Sequence, residues 1–205
     1  MKTKYVLFAL LFLATATIAK AQNNFEGVVV MQQSKGEEDP IKIIWYLKKD
    51  KLAYDLEFKT PEGVLTIMRF VPNPATKMLL ITDPQGSFRY EVPVSSIQAM
   101  TDVKKGMTAK ETGRGNIEPK FEKMVDVEIE TPSSKTEMEY TTDIIVDWSL
   151  YADFFVSDYS IAAMIKLNAK GFPYMSTSKD EKGNVILLNE LLYVRKEKIS
   201  DSVFK

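Results

Sequence analysis

The sequence contains no cysteine and no histidine. Without histidine the commonest general base and metal ligand is missing, and with it every Ser-His and Cys-His pair. Without cysteine there is no disulfide, no thiolate metal site and no residue to carry the lipid anchor of a bacterial lipoprotein. A metal would have to be held by carboxylates alone, which suit Ca²⁺ or Mg²⁺. Glu37-Glu38-Asp39 and the pair Asp143 and Asp147 are the candidates, and both read as solvated turn and strand-end charge. No metal, cofactor or catalytic residue is therefore expected. Cationic runs are also short, since no more than two Lys or Arg stand side by side. A polyanion calls for a basic patch, so nucleic acid is not an expected partner.

Long apolar runs are confined to the start of the chain. Lys2 and Lys4 precede an apolar stretch from Tyr5 to Ala16, and Ala19-Lys20-Ala21 offers small residues around a cleavage point. This is the three-part pattern of a secretory signal, too short to span a bilayer. Residues 1–21 are thus expected to be removed after Ala21, leaving one β-rich domain over residues 22–205. No later segment is long and apolar enough for a transmembrane helix. The signal holds three of the 27 basic residues and no acid, so the 28 acidic residues outnumber the bases of the remainder by four. Export without disulfides fits a periplasmic or extracellular protein of a bacterium, and the missing cysteine rules out a lipoprotein.

What is present is a series of short strands. Val28 to Gln32, Ile41 to Leu47, Leu52 to Phe58, Val64 to Phe70, Lys77 to Ile81 and Phe88 to Val92 alternate with turn residues, as in an antiparallel meander. In the third run Leu52, Tyr54, Leu56 and Phe58 share one face while Asp55 and Glu57 take the other. Pro61-Glu62-Gly63, Pro72-Asn73-Pro74 and Asp83-Pro84-Gln85-Gly86 are turn chemistry. Ser95 to Val103 reads as a short helix, and the polar, Gly-containing Lys104 to Lys120 as a mobile loop. Strands return at Met124 to Glu130 and Glu137 to Val146. Trp148 to Ile165 carries an apolar stripe with i, i+4 aromatic pairs and reads as one helix. Tyr174 to Thr177 and Val185 to Val194 close the chain as strands.

Two motif-like stretches carry no chemistry in this setting. Ser176-Thr177-Ser178-Lys179 matches the S-x-x-K of serine acyl-transfer enzymes, but those need both residues on one helical face. On a strand, positions i and i+3 point to opposite faces. Thr112-Gly113-Arg114-Gly115-Asn116 has neither the Lys-Ser/Thr nor the strand-to-helix context of a phosphate loop.

Soft and aromatic side chains are abundant, with ten Met, eleven Phe, nine Tyr and two Trp. Such residues adapt to irregular apolar ligands. Trp45, Tyr54, Leu56, Phe58, Met68, Phe70, Met78 and Leu80 are expected along one concave face, with Phe154, Phe155, Tyr159 and Met164 closing it from the helix. The same list describes an ordinary filled core, the commoner use of such residues.

Phe25-Glu26-Gly27-Val28-Val29-Val30, then Ile43-Ile44-Trp45-Tyr46-Leu47-Lys48-Lys49-Asp50-Lys51-Leu52, resemble the domain-of-unknown-function family numbered 4412. So do Gly171-Phe172-Pro173-Tyr174 and the closing Asp201-Ser202-Val203-Phe204. Relatives often have a Gly-Tyr-x-Cys-like strand after the central loop and a Trp in the next strand. Here Phe121 to Ile129 has neither Gly nor Cys, and Trp148 falls just beyond Asp143-Ile144-Ile145-Val146. The resemblance implies a mainly β fold with minor α: an antiparallel, strongly curved sheet or half-barrel, like that of lipoprotein carriers, with a helical element over its concave face. By analogy it implies a non-enzymatic protein of the Gram-negative envelope that binds a lipid or other apolar ligand there. The rival expectation is an interaction module with a filled core, meeting an envelope protein partner through Lys104 to Lys120.

Overall fold

The computed structural model describes residues 25–98, 106–114, 121–155 and 158–205. The expected signal segment and its cleavage point lie outside the described residues. Within them runs one antiparallel, open sheet of 11 strands, ordered β6-β5-β4-β3-β2-β1-β11-β10-β9-β8-β7. The N-terminal meander comprises β1 (Glu26–Ser34), β2 (Ile41–Lys48), β3 (Lys51–Lys59), β4 (Leu65–Asn73), β5 (Met78–Thr82) and β6 (Arg89–Pro93). The second half supplies β7 (Thr108–Arg114), β8 (Met124–Glu130), β9 (Ser134–Thr141), β10 (Phe172–Asp180) and β11 (Val185–Lys196). Pairing of β1 with β11 joins the two halves. The turns form where the chemistry calls for them: Gly63 and Gly86 take positive φ, and their amides bond Thr60 O and Asp83 O.

Three expectations need correction. Part of the expected loop from Lys104 to Lys120 is the edge strand β7, paired only with β8 and interrupted by a bulge between Glu111 and Gly113. An edge strand needs little apolar side chain, and charge on it discourages further pairing. The strand expected to reach Val146 stops at Thr141, whose hydroxyl donates to Lys123 O and accepts from Asp143 N, turning the backbone. Finally, residues 148–165 are not one helix. A 3-10 turn (Trp148–Tyr151) is capped by Asp147, which accepts from Ser149 N, and a separate α-helix (Tyr159–Lys166) by Asp158, which accepts from Ile161 N. Each Asp draws its own helix start, so the apolar stripe is carried by two short elements. A further helix, α1 (Val94–Gln98), covers the start of the expected 95–103 helix, so that Tyr159–Lys166 is α2.

The sheet curls strongly. In a flat sheet β2 and β10, three ladder steps apart, would be separated by about 14 Å. Yet Trp45 on β2 and Phe172 on β10 have ring centroids 5.8 Å apart. One core cluster takes side chains from both halves on this concave side, including Val29, Trp45, Ile129, Met138 and Phe172. Met164 of α2 and Trp148 are sunk into it. Gly171 makes the junction: a Cβ there would stand 2.5 Å from Thr141 O and 2.7 Å from the Tyr140 ring. Its carbonyl accepts from Trp148 Nε1 at 2.8 Å.

The convex face is covered by the C-terminal 3-10 turn (Asp201–Phe204). Ile199, Val203 and Phe204 pack on Val28, Val30, Ile44, Tyr46, Ala53, Val71 and Leu80. Lys48 donates to Ile199 O at 2.8 Å, and Lys48 and Lys51 both pair with Asp201.

Candidate functional site

Strand register fixes which of the expected residues meet. Trp45 pairs with Tyr54, and Tyr54 with Phe70, so the three stand in a row across β2, β3 and β4. Tyr54 stacks on Phe70 at 5.0 Å with an interplanar angle of 8°. Phe155 comes down from the segment before α2 to within 5.6 Å of Tyr54 and 5.8 Å of Trp45. Phe154 and Met164 are buried in the same cluster, and Tyr159 is half-buried against it. The upper concave face is therefore packed by the chain's own aromatic rings.

Leu56, Phe58 and Met68 lie on that same face, further along the strands. Ile43 pairs with Leu56 and Leu56 with Met68, so an apolar row continues across β2, β3 and β4. All four are half-buried, and Leu56, Phe58 and Met68 stand outside the packed core cluster. Ile43, absent from the expected site, belongs to it by simple two-residue periodicity with Trp45.

Met78 and Leu80 are on the other face, contrary to expectation. Leu80 pairs with Val71 and packs beneath Phe204, while Leu79 faces the concave core. The strand β5 is covered on both sides, so its apolar residues need not alternate. Met78 and Leu80 line an open groove of about 620 Å³ with Val71, Leu150, Tyr151 and Phe204.

A smaller cavity, about 30 Å³, lies where the aromatic core meets the apolar row. Its walls include Met31, Ile43, Trp45, Asp158, Ser160 and Asn189. Trp45 is 6% exposed and its Nε1 has no hydrogen-bond partner among the described residues. Burial pushes the Asp158 carboxyl above the usual carboxylate range, against the helix amides of Ile161 and Ser160 that stabilise its charge. Burial, helped by the Asp158 charge, likewise pushes the Tyr54 hydroxyl up. Beyond the cavity runs a polar ladder: Gln33 donates to Asn189, Asn189 to Ser176, and Thr136 and Ser178 bond each other at 2.8 Å. These polar partners left no pattern in the sequence, because they come from four strands distant along the chain.

On the convex face Arg69 makes a two-point bond to the buried Asp55, with Nε to Oδ1 at 2.7 Å and Nη2 to Oδ2 at 2.8 Å. Tyr46 donates to the same carboxylate, and burial followed by the Asp55 charge pushes its hydroxyl up to about 12. Arg69 and Tyr46 together bond both oxygens of the carboxylate, which is how a buried charge persists. Ser176 and Lys179 of the S-x-x-K match are on one strand; Ser176 accepts from Asn189 while Lys179 pairs with Glu137. Among the described residues no group of three or more acidic, His or Cys side chains is placed to hold a metal. No described helix is long and apolar enough to cross a membrane.

No family model matches the chain, and no curated protein sequence does. Several solved structures are similar in layout. An uncharacterised conserved protein of Thermus thermophilus aligns over 92% of this chain and 90% of its own, with 10% identity and a TM-score of 0.46. MucB aligns over 93% of this chain and 60% of its own, with 9% identity and a TM-score of 0.47. A putative outer membrane lipoprotein-sorting protein domain of Vibrio parahaemolyticus aligns over 95% of both chains, with 7% identity and a TM-score of 0.39. None of these values assigns the chain to a family.

Proposed function

We propose that the protein is an exported, non-enzymatic envelope protein that holds an apolar ligand, a lipid or acyl chain, on the open part of its concave face. The supporting observation is the half-buried row of Leu56, Phe58 and Met68, which extends the core face beyond the residues that fill it. Removing apolar surface from water contributes roughly 25 cal/mol per Å², so such a row can retain an acyl chain with no directed chemistry. Export is supported by the signal pattern of residues 1–21, and the absence of catalysis by the missing histidine and cysteine. Membership of family 4412 is proposed on the quoted motifs alone.

Leu56→Asp and Phe58→Asp test this. Both side chains are half-buried, so the variants should keep the far-UV spectrum and lose uptake of a fluorescent acyl chain by about tenfold or more. Unchanged uptake would sink the proposal. The filled upper concave face, with Trp45, Phe172 and Met164 in contact with one cluster, favours a second reading as a protein interaction module. That reading gains if neither variant nor wild type takes up the probe.

A further inference from the structure

The small cavity at Trp45 is chemically asymmetric. Trp148, the other tryptophan, donates its indole N–H to Gly171 O at 2.8 Å. Trp45 lines the cavity at 6% exposure, and its N–H has no partner among the described residues. An indole N–H only donates, and a buried donor left unmade is costly. Asp158 also lines it; its carboxylate accepts from Ile161 N at 2.9 Å and from the Ser160 amide, and its four lone-pair positions leave room for a further donor. The cavity thus asks for a group that accepts from Trp45 and is tolerated by, or donates to, Asp158.

Few groups meet both demands. A carboxylate would accept from the indole but be repelled by Asp158 whenever that group is ionised. An ester carbonyl accepts but has nothing to donate to an ionised Asp158, and an ammonium donates and cannot accept. A hydroxyl does both, whether Asp158 is ionised or protonated. The volume of about 30 Å³ admits a group the size of one or two waters, and excludes a phosphate or a sugar ring. Ile43 forms a wall of the cavity and pairs with Leu56, which pairs with Met68, so the apolar row begins where the polar pocket ends.

Building on the apolar-ligand reading, we propose that this cavity receives one hydroxyl group from the neutral head of a single-chain lipid whose acyl chain lies along Ile43, Leu56 and Met68, the rest of the head staying outside it. The ligand class is a monoacylglycerol or long-chain alcohol, and free fatty acid is selected against wherever Asp158 carries its charge. Trp45 orients the head, and Asp158 sets the choice between heads.

The two indole N–H resonances of the ¹⁵N-labelled protein report directly on this, with Trp45→Phe assigning them. Titration with monoolein should move the Trp45 resonance and leave that of Trp148 in place. Monoolein should bind about tenfold tighter than oleate, the span expected for one charge-sensitive hydrogen bond. Asp158→Asn keeps a residue that caps α2 and removes the charge, and should bring oleate within about threefold of monoolein. If monoolein binds while the Trp45 resonance stays still, or monoolein, oleate and methyl oleate bind equally, the cavity holds only water and the head-group assignment is overturned. The apolar-ligand reading survives that result. Failure of all three to bind overturns both.

Discussion

Asp158 does two jobs that pull in opposite directions. As cap it accepts from Ile161 N and holds the start of α2; as a half-buried carboxylate beside Trp45 it resists ionisation. A carboxyl whose value is raised on folding binds its proton more tightly in the folded protein than in the unfolded chain. Ionised Asp158 therefore opposes folding at neutral pH, and this penalty is absent below the unfolded carboxyl range near pH 4. Asn caps about as well as Asp. Asp158→Asn should accordingly be more stable than the wild type at pH 7, with the gap closing as the pH falls toward about 3. Urea midpoints at the two pH values measure it, and an equal gap at both would show that burial is not what raises this group. A stability cost kept in the wall of a cavity is a common mark of a binding residue.

At the scale of the element, the C-terminal turn is a cover for one face of the meander. Ile199 is buried against Val28 and Val30, and Phe204 lies over Val71 and Leu80. Deleting residues 199–205 should lower stability by about 3 kcal/mol, the transfer term for one buried and two half-buried apolar side chains. It should also raise dye binding by exposed apolar surface, while acyl-chain uptake on the opposite face persists. Urea unfolding with a hydrophobic dye checks both, and an unchanged midpoint would mean the turn is ornamental. Strand positions in the meander were legible in the sequence because each boundary carries its own turn residues, such as Lys49 and Gly63 at positive φ. Which face each strand shows was not always legible. In β3 the alternation of Leu52, Tyr54 and Leu56 with Ala53, Asp55 and Glu57 told the faces apart. In β5 both faces are covered, by the core over Leu79 and by Phe204 over Leu80, so Met78 and Leu80 gave no sign of facing away. The helical stripe misled for a related reason: Tyr151 fills the core from the end of a 3-10 turn and Phe155 from the connection to α2, and the core constrains positions rather than helical phase. Polar β7 could be recognised only through its partner β8, which lies beyond a stretch of sequence with no strand pattern.

Across the whole molecule, curling of the sheet does the work of a second layer. It brings β2 and β10 together around Trp45 and Phe172, and lets two short helical elements plug the upper part of the concavity. The lower part divides into a polar side, Gln33 and Asn189 over the buried Ser176, Ser178 and Thr136, and an apolar side, Ile43, Leu56, Phe58 and Met68. A surface divided in this way suits an amphipathic ligand lying along it, with its head toward Trp45. The sharpest test is native mass spectrometry of the protein as exported by a bacterial host and purified without detergent. If the concave face carries such a ligand, a co-purifying mass that organic solvent extracts as a single-chain lipid should accompany the wild type and be absent from Leu56→Asp. A clean mass with no adduct, in a protein that also refuses added monoolein, would refute this and leave the concave face as packing alone.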